Sequence, residues 1–135
     1  MTEYRDVDAT TGGEKNVKIV RHDLVPVEIL HEDAILYAVG AAKYSDDNWR
    51  KGYKFSSSYA AMRRHMDLWW AGQDIDIETG THHLINARWH AATLRANSRA
   101  IDDGELPGLL DDRPRSVDLE QITDDCVHSR VTTNV

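Results

Sequence analysis

RHMDLWWAGQDIDIETGTHHLINARWH, residues 64–90, decides how this chain is read. Its opening finishes a run of good helix formers, YAAMRRHMDLWWAG, which Gly72 ends as a C-terminal cap. Asp74 to Gly80 is an acidic loop, and Thr79 or Thr81 can cap a third helix from about His82 to Ala100. Helix, loop and helix together hold four His, three Asp and one Glu. No other part of the chain gathers as many histidines.

Upstream, Ser56 to Ser58 offer an N-cap for the second helix, and SDDNWRKGYKFSSS is a loop by its turn chemistry, although it carries Trp49, Tyr53 and Phe55. HDLVPVEILHEDAILYAVGAAKY has Pro26 at a helix start and helical composition through Ala42. Its second half, AILYAVGAA, is apolar or small nearly all round, which predicts a central place in a bundle, with Gly40, Ala41 and Ala42 admitting a neighbouring helix. Residues 1–22 read as a flexible arm in which KNVKIV is a short strand or irregular. Residues 23–101 form the helical catalytic domain. The extension over 102–135 alternates Asp-rich turns with short apolar fragments and predicts one short helix near 117–123 before a disordered end.

Three helices with no convincing strand predict an all-α bundle. Such a bundle has a thin core, and Trp69, Trp70 and Trp89 are more aromatic surface than it easily hides, so a homo-oligomer, dimer or tetramer, is expected to complete it.

At 135 residues the chain is one domain, and no apolar run approaches the roughly 20 residues that span a bilayer. The first residues are acidic and polar where a signal peptide is basic and then apolar, which predicts a cytoplasmic protein without membrane partners. A net charge of −7 works against binding a nucleic-acid polymer. The lone Cys126 excludes an internal disulfide and a multi-thiolate zinc site. An acidic protein can still handle a phosphorylated small molecule when divalent ions bridge carboxylates to phosphates.

Several side chains can serve that chemistry. Glu28 and Glu32 are four apart on helix one and share a face, a repulsive spacing that a cation relieves. Asp74, Asp76 and Glu78 alternate with Ile75, Ile77 and Thr79, so an extended loop projects the three carboxylates on one side, beside His82 and His83. The run starts like an EF-hand, but glycine falls at the seventh position and Ile85 stands where a bidentate Glu is required. On helix three, His83, Asn86, His90, Thr93 and Asn97 form one polar stripe, read as the wet side apart from His83, opposite an apolar stripe of Leu84, Ala87, Ala91 and Leu94 read as the core. There is no H-E-x-x-H, no P-loop and no serine elbow, and His22-Asp23 lacks the partners of an HD phosphohydrolase.

The set Gly40-Ala41-x-Lys43-Tyr44, Asn48-Trp49-x-Lys51-Gly52, Arg64-His65, the Trp69 to Gly80 run and His83-Leu84 resembles a phage family of dATP/dGTP diphosphohydrolases, which look like relatives of the all-α, MazG-like nucleoside triphosphate pyrophosphatases. The likeness covers about residues 26–95. It departs at Gln73, where the family often has Glu, and at Asn86, where it has a second His. The superfamily's two helical carboxylate pairs are approximated here by Glu28/Glu32 and the Asp67 to Asp76 region.

The resemblance implies hydrolysis of a purine (d)NTP, dGTP or dATP, between the α- and β-phosphates, in a host cytoplasm if the gene is a phage's. It implies Mg²⁺ or Mn²⁺, two or more ions, on Glu28, Glu32, Asp74 and Asp76, with Glu28, Glu32, His65 and His83 as the catalytic set. Lys43, Lys51 and Arg64 would grip phosphate, and Tyr44, Asn48 and Trp49 would take the base. Two other readings stand beside it: a non-enzymatic helical protein that docks through its tryptophans, and another nucleotide metallohydrolase such as a triphosphohydrolase.

Overall fold

The structure, a computed structural model, describes residues 2–117 and Leu119. Apart from Val117 and Leu119, the short helix expected near 117–123 lies outside the described residues, as does Cys126. Three helices carry the fold: α1, Val27–Lys43, α2, Phe55–Trp70, and α3, His83–Asp102. Short 3₁₀ turns occupy His22–Leu24, Asn48–Lys51 and Gly108–Leu110. No helix among the described residues is long and apolar enough to cross a membrane.

The expected arm over 1–22 is instead a hairpin over most of its length. Strands β1, Glu3–Val7, and β2, Glu14–Lys18, pair antiparallel with Tyr4 opposite Val17 and Asp6 opposite Lys15. The turn is local chemistry: Asp8 Oδ1 accepts from the backbone N–H of Thr10 and Thr11 at 2.8 and 2.9 Å, and Gly12 takes φ of +75°. Lys18 pairs with Glu3 and Arg5 with Glu14 across the strands. Strand β2 takes in Lys15–Lys18 of KNVKIV, which reads as a short strand or irregular, while β1 is largely polar and exposed and offers no hydrophobic alternation.

Helix α3 is the element on which both α1 and α2 pack. Helix α1 starts after Pro26 as expected, but its second half is not central: Leu36 is its one buried residue, and Ile35 is 45% exposed. The small residues admit no neighbour, since a Cβ on Gly40 would meet nothing within 4 Å. What faces Gly40 and Ala41 is a cavity.

Helix α2 begins at Phe55, so Ser56 to Ser58 lie within its first turn rather than capping it. The orphan donors of that turn are met from far along the chain. Asp112 accepts from the Ser56 backbone N–H at 2.8 Å and from the Ser56 hydroxyl. Those two hydrogen bonds from Ser56, hydroxyl first, hold the Asp112 carboxyl below the usual carboxylate range. A group depressed in the folded state contributes stability above its unfolded pKa and loses it as pH falls through its folded pKa. Asp112→Ala is therefore expected to lower the melting temperature at neutral pH, with the difference from wild type shrinking as thermal scans move below about pH 4.

The polar stripe of α3 is the buried side of the helix. His83, Asn86, Thr93 and Asn97 are all at or below 4% exposed, whereas Leu84 is 39% exposed and Ala91 is open to solvent. The expected wet and dry faces are thus exchanged, with Ala87 staying buried and Leu94 half-buried. Three of the four donate a hydrogen bond: Asn86 Nδ2 to Thr81 Oγ1 at 2.8 Å, Thr93 Oγ1 to the His90 carbonyl at 3.2 Å, and Asn97 Nδ2 to the Trp49 carbonyl at 3.2 Å. Burial without partners would be costly, and with them the seam becomes specific.

Candidate active site

A cavity of about 1010 Å³ opens between the C-terminal half of α1, the loop over 45–49, α2 and α3. The acidic loop between α2 and α3 closes one side. It is not extended: Ile75 bridges to His82, the Asp76 N–H donates to the Thr81 carbonyl, and the Gly80 N–H donates to the Asp76 carbonyl. That reversal separates the three carboxylates expected on one side. Asp76 turns inward and is 7% exposed, while Asp74 stays outside, 3.7 Å from His82 Nε2, and Glu78 is exposed where it lines the cavity, 3.2 Å from Lys43 Nζ.

Neither Thr79 nor Thr81 caps α3. His82 does, its Nδ1 accepting from the Leu84 N–H at 3.0 Å. The threonines hold the loop instead. Thr79 Oγ1 donates to Asp76 Oδ2 at 2.8 Å, and Asn86 Nδ2 lies 2.8 Å from Thr81 Oγ1 and 3.3 Å from Thr79 Oγ1. Burial works to raise the Asp76 carboxyl, but the Thr79 hydroxyl, the loop N–H groups and nearby His65 outweigh it and hold the carboxyl below its ordinary range.

Opposite Asp76 stand three imidazoles. His65 Nδ1 and His83 Nδ1 are 2.9 Å apart, and the His90 ring stacks on His65 with centroids 5.9 Å apart. Burial first, then the charge of Arg64, pushes His65 below its usual value. Burial pushes His90 furthest, to about 4, with His65 and Arg64 adding to it. Both rings are neutral at pH 7, and a neutral imidazole can accept a proton or ligate a metal. Ligand atoms of His65, Asp76 and His83 all lie within 4.8 Å of one another, the one such group among the described residues.

The far wall is aromatic. Tyr37 packs against Trp49 and Trp89 with centroids 6.2 and 6.0 Å apart, and the Arg50 guanidinium sits 4.4 Å from the Trp49 ring. The loop that presents Asn48 and Trp49 is tethered by Asn97. Lys43, Tyr44 and Arg64 also line the cavity, and Arg64 makes no hydrogen bond or ion pair among the described residues.

The structure therefore brings together Lys43, Tyr44, Asn48, Trp49, Arg64, His65 and Asp76 around one space, with His83 behind His65. Glu28, Glu32, Asp74 and Lys51 do not line it. Glu32 shares an i, i+4 stripe with Leu36 and Gly40, which do, and so lies one turn beyond the edge. The sequence reading passed over His90, Tyr37 and Trp89. His90 stood in the polar stripe seven residues from His83, a spacing that keeps both on one face.

The sequence profile of the family described as dATP/dGTP diphosphohydrolase, N-terminal, matches residues 9–104. No curated protein and no solved structure matches the chain. The profile spans well over half of the 135 residues, and the chain belongs to this family.

Proposed function

We propose that this member of the dATP/dGTP diphosphohydrolase family hydrolyses a purine deoxynucleoside triphosphate, dGTP or dATP, between the α- and β-phosphates to give the monophosphate and pyrophosphate. The observation that carries the reading is one cavity with a buried imidazole–carboxylate cluster at one side, aromatic rings at the other and an unpaired Arg64 on its wall. At about 1010 Å³ the cavity has the size of a small-molecule site. A base stacked on Trp49 or Tyr44, with Asn48 at its edge, would extend its phosphates toward Lys43 and Arg64, with Lys51 outside as a further contact.

The proposed cofactor is Mg²⁺ or Mn²⁺. Asp76, His65 and His83 fit a divalent ion by donor type and by the separation of their ligand atoms. Such ions, when bound, neutralise phosphate charge and lower the pKa of a coordinated water. His65 and His83 keep their place in the proposed catalytic set as residues that would hold the ion, their Nδ1 atoms 2.9 Å apart.

Glu28, Glu32 and Asp74 remain proposed ligands for a second ion, and Glu28 and Glu32 also stay in the catalytic set. Since the glutamates do not line their own chain's cavity, a second copy is their proposed route to a site. Exposed Val27, Leu30 and Ile35 on the same helix support that self-association.

Incubation with each (d)NTP and Mg²⁺ or Mn²⁺, with the products resolved, tests the reading. A monophosphate plus pyrophosphate is expected; nucleoside plus triphosphate would make the protein a triphosphohydrolase, and no turnover with any metal would sink both. Arg64→Gln should raise KM for the triphosphate about 10- to 100-fold, the loss of one charge-assisted contact. An unchanged KM would remove Arg64 from the phosphate site.

The reading as an interaction protein keeps one observation in its favour: Trp70, at the end of α2, is 83% exposed and Ile77, in the acidic loop, 98%. Trp89 does not belong to that surface, because it packs on Tyr37 in the cavity wall.

A further inference from the structure

We propose that His65, His83 and Asp76 form a single-ion site that takes a first-row transition cation of the Mn²⁺ or Co²⁺ kind in preference to Mg²⁺. The inference deepens the reading above for the same site and rests on that site being metal-dependent.

Three observations carry it. First, the donor set is two imidazoles and one carboxylate, and all three residues are at least nine-tenths buried, with His65 4%, His83 1% and Asp76 7% exposed. Mg²⁺ is held by oxygen ligands and its own waters, whereas first-row transition cations take nitrogen donors with affinity rising from Mn²⁺ to Co²⁺.

Second, the separation of the two Nδ1 atoms discriminates among geometries. With metal–nitrogen bonds of about 2.1 Å, two ligating nitrogens are about 3.0 Å apart at a right angle and about 3.4 Å apart at a tetrahedral angle. The observed 2.9 Å matches two nitrogens at a right angle on one ion, with the Asp76 carboxylate within 4.8 Å to complete a two-His, one-carboxylate set. The same distance also suits a hydrogen bond between the rings, so distance alone does not decide.

Third, the protein leaves this corner short of partners. His83 Nε2 and His90 Nδ1 are buried with no hydrogen-bond partner among the described residues. No side chain among the described residues therefore competes with an ion for these imidazole nitrogens.

The experiment is metal titration of the chelator-stripped full chain, read by Mn²⁺ electron paramagnetic resonance, by the Co²⁺ visible spectrum and by thermal shift. One Mn²⁺ or Co²⁺ per chain at this site is expected, undisplaced by a tenfold excess of Mg²⁺. His65→Ala and Asp76→Asn should each weaken that binding about 10- to 100-fold or more. Asp76→Asn, which keeps volume and a hydrogen-bond acceptor, guards against a variant that fails only by misfolding. Transition-metal binding that is unchanged in both variants, or Mg²⁺ binding equally tightly at the same site, overturns the inference. Hydrolysis of dNTPs sustained by Mg²⁺ with no imidazole-dependent ion sinks this site and leaves the hydrolase standing. Tight Mn²⁺ binding with no turnover of any nucleotide upholds the site and sinks the hydrolase.

Discussion

Asp76→Asn is expected to lower dNTP turnover by at least about 100-fold while leaving the folded structure in place. Asp76 is the one carboxylate that the acidic loop buries beside imidazole nitrogens, and its two roles are separable. The structural role is to accept from Thr79, whose hydroxyl and N–H lie 2.8 and 3.3 Å from Oδ2. An asparagine carbonyl oxygen can take over that acceptance, so the turn over 76–80 survives. The chemical role needs negative charge, which an amide lacks, so the variant ligates a divalent ion poorly. Turnover number and a far-ultraviolet melt on the same preparation separate the two. A full turnover number in a folded variant would make Asp76 a loop staple and return the metal to Glu28, Glu32 and Asp74. Asp76→Ala offers the contrast, since it removes the acceptor too and should reduce activity and melting temperature together.

Where local pattern carried the signal, the sequence was legible. Pro26 and Gly72 marked the ends of helices, and the positions and order of α1, α2 and α3 followed from composition. The sense of burial did not follow. Hydrophobicity assigns the apolar stripe of a helix to the core, but α3 turns its polar stripe inward, where His83 meets His65 and Asn97 meets the Trp49 carbonyl, partners 18 and 48 residues away that no local window contains. The same limit applies to the acidic loop. Alternation of Asp74, Asp76 and Glu78 implies one shared side only if the backbone is extended, and the bridge from Ile75 to His82 bends it. The cap of α2 is legible least of all, because its acceptor is Asp112, 56 residues away. Of the residues singled out for chemistry, Lys43, Tyr44, Asn48, Trp49, Arg64, His65 and Asp76 converge on one space, and Asp74, Lys51 and the two glutamates of α1 do not reach it in their own chain. Their spacing proved that they share a face, not what that face meets.

Gly52→Ala is expected to destabilise the fold by about 2–4 kcal/mol, a large part of the 5–15 kcal/mol that a domain of this size commands. Gly52 ends the turn that presents Asn48 and Trp49, and it does so at φ +82° and ψ 150°, a region essentially closed to residues with a Cβ. Its N–H donates to the Trp49 carbonyl at 3.1 Å, so a shift in Gly52 is felt at the aromatic wall. An added Cβ would also stand 2.8 Å from Leu110 Cδ1 and 3.1 Å from Leu106 Cδ1. The two penalties differ in kind. Leucine methyl groups can swing aside, so the clash relaxes in part, whereas the backbone strain persists as long as the turn keeps its shape. The double variant Gly52→Ala/Leu110→Ala separates them. It should be no more stable than Gly52→Ala alone in a urea melt, because shortening Leu110 relieves a contact but leaves φ positive and removes packing of its own. Recovery of most of the lost stability would show that crowding, not conformation, reserves this position for glycine. In either variant the chain relieves its strain by moving the turn. KM for the nucleotide should therefore rise with the loss of stability, while an Mn²⁺ signal from His65, His83 and Asp76, which this turn does not hold, stays as in wild type.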